Sequence, residues 1–214
     1  MASSAASIPQ LRQLLADRFP AVARPARGVL ATGVAAVDEI AGGLPRCALT
    51  ELVCGAPSTG GQLFIAHLLG VTRRQSLRVA LVDATDNFDP QSTAPALLEH
   101  LLWVRCRSIS EAMTAADLLA REASLDLVML DVVQGSLPAL RRIPDRTWYR
   151  LQRAVEETNL AFLALTPIRL VASAQLRLQL DQPRALARQQ AARPDLVAEL
   201  PFTLQLQRHA ARQA

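Results

Sequence analysis

Five short apolar runs constrain the fold of this chain more than any other feature. They are ALTELV (Ala48–Val53), RVALVD (Arg78–Asp83), LLWVRC (Leu101–Cys106), LDLVMLD (Leu125–Asp131) and LAFLAL (Leu160–Leu165). Each is nearly continuous in hydrophobicity rather than alternating, which is the pattern of a strand buried on both faces. Helical patterns separate them. Leu63, Phe64, Ile65, Leu68 and Leu69 give Gln62–Gly70 an apolar face, and Pro95–His100 reads as a short helix. Ser108 and Glu111 form a capping box for a helix reaching about Arg121. Trp148, Leu151 and Val155 stripe a helix over Asp145–Thr158. Strands alternating with helices predict an α/β fold, with a mainly parallel sheet covered by helices on both faces.

The C-terminal part changes character. Leu176, Leu178 and Leu180 alternate with polar residues, as do Phe202, Leu204 and Leu206. That period of two predicts antiparallel strands extending the sheet at its C-terminal edge. Asp181–Leu200 between them bears prolines and arginines and reads as a mobile connector. At the other end, Ile8, Leu11, Leu14, Leu15 and Phe19 recur at helical spacing, and Pro20 and Pro25 follow. The expected organisation is an amphipathic helix with linker over 1–28, a core over 29–208 and a short basic tail over 209–214. The N-terminal helix either folds back on its own core or docks on a partner. Its Leu11, Leu14 and Leu15, with Arg208 and Arg212 around the tail, are the candidate partner-binding residues.

Composition narrows the class. Half of the 214 residues are hydrophobic, enough for one sizeable core. No apolar run approaches a membrane span, and MASSAASIPQ lacks the form of a secretion signal. A cytoplasmic protein without membrane contact is expected. Cys47, Cys54 and Cys106 show no ligand spacing, and His67, His100 and His209 are scattered, so no metal site is expected. The net charge is +4, and every basic side chain is arginine: the sequence contains no lysine.

That last fact bears on the stretch GAPSTGGQ, Gly55–Gln62. A phosphate-binding loop has the form G-x-x-x-x-G-K-[ST]. Gly55 and Gly60 match both glycines, but Gly61 stands at the lysine and Gln62 at the hydroxyl. Neither can neutralise phosphate or ligate magnesium. ATP affinity should therefore fall steeply, and no cofactor is expected. The glycines are expected to persist because a strand-to-helix turn needs their backbone freedom.

Several motifs in order resemble the RecA-type ATPase core. Thr32, Gly33, Asp38, Gly42, Gly43, Pro45 and Arg46 match the stretch that enters that core, with Cys47 replacing a usual glycine. VALVDATDNFDPQS is similar to its second strand and acidic turn, and LDLVMLDVVQGSL to its Walker B strand, with Asp131 as the metal-side aspartate. The resemblance implies a RecA-like core. It also implies two departures: Thr85 stands where the family orients water with a glutamate, and Leu165-Thr166-Pro167 lacks the terminal amide of a γ-phosphate sensor. The first DNA-facing loop would fall between Gln134 and Ile143. Its Arg141 and Arg142 are either a solvated pair or a weak DNA phosphate contact. The second loop, after Thr166, is almost deleted.

Within that superfamily, LLWVRCRSISEA and LPALRRIPDRTWYRLQRAVE resemble the ImuA group. This implies a non-catalytic accessory protein of the SOS response and mutagenic translesion synthesis. Its partners would be a Y-family-like polymerase homologue, an error-prone DnaE-type polymerase and RecA itself. Two other readings stay open: a divergent DNA-dependent ATPase, and a SulA-like cell-division inhibitor.

Overall fold

The computed structural model describes residues 28–122, 124–184 and 191–206. The N-terminal helix expected over 1–28 and the tail from Arg208 onward lie outside them, apart from Gly28. Seven strands form one sheet in the order β5-β4-β6-β7-β3-β8-β9. They are β3 (Ala48–Cys54), β4 (Val79–Asp83), β5 (Leu101–Arg105), β6 (Leu127–Asp131), β7 (Ala161–Thr166), β8 (Leu176–Leu180) and β9 (Thr203–Leu206). All neighbours run parallel except β8 and β9. A separate antiparallel ribbon, β1 (Val29–Leu30) with β2 (Leu44–Pro45), leads into the core.

Helices cover both faces, as the buried runs require. On one face lie α1 (Ala35–Ala41), α2 (Gly61–Arg74) and the short α6 (Arg193–Ala198); on the other lie α3 (Ile109–Leu119), α4 (Leu137–Arg141) and α5 (Asp145–Glu156). Helix α2 contributes Phe64, Ile65, Leu68 and Leu69, all fully buried, and each side chain is worth roughly 1.5–3 kcal/mol. Trp148, Leu151 and Val155 of α5 fill the opposite layer with Met113 and Ala116 of α3.

Five local expectations are refined. Helix α2 continues past Gly70 because Val71 and Thr72 extend its buried face, the Thr72 hydroxyl donating back to Leu68 O at 2.8 Å. The region of Pro95–His100 holds only a single 3₁₀ turn at Pro95–Leu97, preceded by another at Pro90–Ser92. Strand β8 is antiparallel only to β9; its other edge pairs parallel with β3, so it belongs to the buried sheet. Part of the expected connector is ordered, since Arg193–Ala198 is helical and both Val197 and Leu200 are buried. The capping box also shifts by one residue: Ser108 Oγ accepts from Glu111 N, while Glu111 Oε2 accepts from Arg107 N rather than Ser108 N.

The entry motif has a structural purpose. Asp38 accepts from Thr32 N at 2.9 Å, Thr32 Oγ1 at 2.7 Å and Gly33 N at 2.8 Å, tying α1 to the chain that precedes it. Cys47, at the position of a usual glycine, has a left-handed φ of +57°. Its thiol donates to Thr158 O at 2.9 Å, which helps hold a conformation that side chains ordinarily avoid.

Candidate functional site

Strand β3 runs straight into the glycine-bearing turn. Gly55 N donates to Leu180 O at 3.1 Å, extending the β3–β8 ladder by one bond. Ser58 and Gly60 both take left-handed backbone angles, φ +59° and +110°. Gly60 then accepts the first α2 bond, from Phe64 N at 2.9 Å. This is the shape of a phosphate-binding loop: strand, tight glycine turn, helix N-terminus.

The chemistry inside that shape is different. Asp131 closes β6, and the sheet order places β7 between β6 and β3. Its carboxylate is fully buried. Gln62 Nε2, at the start of α2, donates to Asp131 Oδ2 across 2.5 Å. Asn87 Nδ2 donates to the same oxygen at 3.2 Å, and Val133 N to Oδ1 at 3.0 Å. Burial pushes the Asp131 carboxyl above its ordinary range, the three hydrogen bonds pull the other way, and Asp83 adds to the rise. Asp131 is therefore not a solvated strand end. It is a buried carboxylate satisfied by amides, and the Gln62 amide lies between α2 and Asp131, where a metal-binding hydroxyl would otherwise point.

The lysine station is also closed. A Cβ on Gly61 would stand 2.8 Å from Cys54 Sγ, nearer than side chains tolerate without a shift. The Cys54 thiol is itself pushed up to about 12, chiefly by burial. The cleft beside the loop holds about 340 Å³. Ser58, Thr59, Gln62, Asn87 and Gln134 supply its polar atoms, and among the described residues no cationic side chain lines it. Among the described residues the cleft offers no charge to offset a triphosphate. The residues present do not fit magnesium and ATP.

The turn after β4 is built around Asp83. Asp83 accepts from Thr85 N (3.3 Å), Asn87 N (3.0 Å) and Phe88 N (3.0 Å), and the resulting curl brings Asn87 to Asp131. Thr85 keeps a buried hydroxyl with no hydrogen-bond partner among the described residues. Asp86 turns outward to a two-point ion pair with Arg105, at 2.8 and 2.6 Å, and so does not supply the missing acid. That exposed pairing holds the Asp86 carboxyl below its ordinary range.

Two features escaped the sequence reading. The first is a buried ion pair. Glu51 of β3 accepts from Arg177 Nε of β8 at 2.6 Å, and its other oxygen accepts from Thr166 Oγ1, Leu170 N and Val171 N. This pins the shortened segment after β7, where the second DNA-facing loop would lie. The second is a strap. Leu200 lies against the loop so closely that a Cβ on Gly60 would come within 2.4 Å of it. Arg184 N donates to Ser58 O at 3.0 Å, and the Arg184 guanidinium is committed to Leu196 O and Glu199.

Gly55, Gly60, Gly61, Gln62 and Asp131 thus converge on one place. Arg141 and Arg142 do not join them. They are exposed at the end of α4, on the opposite face of the sheet. Leu11, Leu14, Leu15, Arg208 and Arg212 lie outside the described residues.

The strand–loop–helix unit, with an aspartate at the end of the strand one removed, defines the class: a RecA-like α/β core of the phosphate-loop type. Sequence comparison agrees. The chain is 30% identical to the RecA protein of Chlorobaculum tepidum over 114 residues, 51% of this chain and 33% of that protein. It is 31% identical to RecA of Clavibacter michiganensis subsp. michiganensis over a stretch of the same length, 31% of that protein. With RecA of Leifsonia xyli subsp. xyli, 25% identity extends over 159 residues, 66% of this chain and 44% of that one. The chain thus spans about a third of the length of the first of these relatives. No protein-family model matches it. Among the described residues no helix is long and apolar enough to cross a membrane.

Proposed function

We propose that this chain is a non-catalytic RecA-like accessory protein of the DNA-damage response. Its finer role, on the resemblance to the ImuA group, is to bridge a mutagenic translesion assembly in the cytoplasm. A Y-family-like polymerase homologue and an error-prone DnaE-type polymerase are its partners, with RecA as a further one. The observation that carries the non-catalytic part is the Gln62–Asp131 hydrogen bond. An amide already bonded to the Walker B-like carboxylate, in a chain without lysine, supports a fold kept for its surfaces rather than its turnover.

Affinity capture of the tagged chain from its own cells after DNA damage, with nuclease added, tests the assembly. Recovery of the polymerase homologue is the expected result. Recovery of only a division-ring GTPase, with filamentation on overproduction, would replace this reading with the inhibitor one. Saturable MgATP binding together with DNA-stimulated phosphate release would overturn the non-catalytic part.

A further inference from the structure

On the sheet face away from the loop, α3 and the α4–α5 turn leave a groove between them. It holds about 650 Å³ and shares no residue with the loop cleft. Ile109 and Met113 of α3 form one wall, and Ile143 and Pro144 of the turn form the other. Arg142 and Arg150 stand on its rim, both exposed. We propose that this groove docks an acidic amphipathic helix of a partner protein.

The charge at the rim argues for a carboxylate-bearing occupant. Arg142 has no carboxylate within ion-pair distance among the described residues, and neither does its neighbour Arg141. Arg150 Nε reaches Asp117 at 3.2 Å, but Asp117 is also shared with Arg121 at 3.4 Å. One carboxylate serves two guanidinium groups, so the rim keeps uncompensated positive charge. The acids on these elements, Glu111 of α3 and Asp145 of α5, form no ion pair with Arg142 or Arg150 among the described residues.

The apolar side chains of the walls argue for aliphatic partners. Among the described residues no aromatic ring lines the groove, so they offer no stacking platform of the kind by which single-stranded nucleic acid is held. One helical wall and one turn, both bearing apolar side chains, instead suit a helix presenting anchors at i, i+3 and i+7. Residues 1–27 of this chain are a poor occupant on charge, carrying four arginines against one aspartate. A second copy would set the same basic rim against itself.

The test uses the full chain and a labelled, helix-stapled peptide of leucine, alanine and glutamate, with leucines at that spacing, read by fluorescence anisotropy. Saturable binding that weakens with salt is expected. A matched peptide with lysine for every glutamate should bind at least roughly tenfold more weakly, and Arg142→Glu with Arg150→Glu should cost the acidic peptide roughly tenfold or more. Both arginines are exposed, so the variant should stay folded, with only the small loss in melting temperature that follows from giving up the surface Arg150–Asp117 pair. Equal binding of the two peptides, or an acidic peptide indifferent to the double reversal, would refute the proposal. So would tighter binding of a residue 1–27 peptide, or of an oligonucleotide, at the same rim.

Discussion

Replacing Gln62 with alanine tests the reading of the loop as a structural element. Gln62 supplies the shortest of the three hydrogen bonds to Asp131, at 2.5 Å against 3.0 Å from Val133 and 3.2 Å from Asn87. A hydrogen bond to a charged group contributes about 1.5–3 kcal/mol. Two partners remain, so the carboxylate is not stranded, and the adjoining cleft can admit water. A loss of about 2 kcal/mol is expected, which for a chain of this size lowers Tm by roughly 4–8 °C. The pH dependence carries a sign. Burial raises the Asp131 carboxyl in the folded state, so the folded chain binds that proton more tightly than the unfolded one. Its contribution to stability is therefore highest in acid and falls as pH rises from the ordinary carboxylate range through the raised value. The Gln62 bond restrains that rise, and alanine releases it. The deficit should grow as pH rises through that raised range and shrink on acidification, when Asp131 is protonated in both proteins. Thermal unfolding followed by circular dichroism across that range gives the answer. A variant as stable as wild type at neutral pH, or a deficit that grows in acid, would refute the assignment of Gln62 as the group that satisfies Asp131.

Three other perturbations probe the same architecture. Glu51→Ala leaves Arg177 buried without its carboxylate and should cost about 3–5 kcal/mol in urea unfolding; adding Arg177→Met should recover much of it, and a cost below about 1 kcal/mol would show the pair to be incidental. Gly61→Lys sets a Cβ 2.8 Å from Cys54 Sγ and should cost about 1–3 kcal/mol by overpacking. Cys54→Ala in the same chain should relieve most of that, so a single variant as stable as wild type would mean the contact is loose. Cys54, with its thiol pushed up to about 12, should resist a thiol-exchange reagent near neutrality in the folded protein and react quickly once unfolded; rapid labelling of the native chain at Cys54 would contradict its burial.

Strands β3, β4, β6 and β7 were legible as short, nearly continuous apolar runs, and each is buried along its length; β5, read from the same kind of run, lies at the sheet edge with Leu102 exposed. Asp131 was legible as a strand-end carboxylate, and the loss of lysine and hydroxyl at Gly61 and Gln62 could be read directly. What Gln62 does instead could not. Its partner lies on β6, which is not adjacent to β3, the strand leading into its helix, and nothing in GAPSTGGQ distinguishes a solvated glutamine from one aimed inward. Asn87 was hidden for a related reason: the Asp83-centred curl that points it at Asp131 is made of backbone donors. Glu51 looked like an interruption in an apolar strand, because its counter-charge belongs to Arg177, far along the chain. A 3₁₀ turn opened by Pro95 replaced the expected helix, with β5 beginning at Leu101 only three residues beyond it.

The place of β3 in the sheet has a consequence for how the chain is made. β3 emerges from the ribosome long before its two neighbours, β7, beginning at Ala161, and β8, beginning at Leu176. Contacts between such distant segments form slowly, because a long loop must close first. Until Leu180 has been synthesised, the apolar flanks of β3 and the inward face of α2 have no complete sheet to cover them. During translation the nascent protein therefore carries an uncovered strand of the kind that aggregates or engages chaperones, and its yield in cells depends on the pace of elongation as well as on the stability of the finished fold.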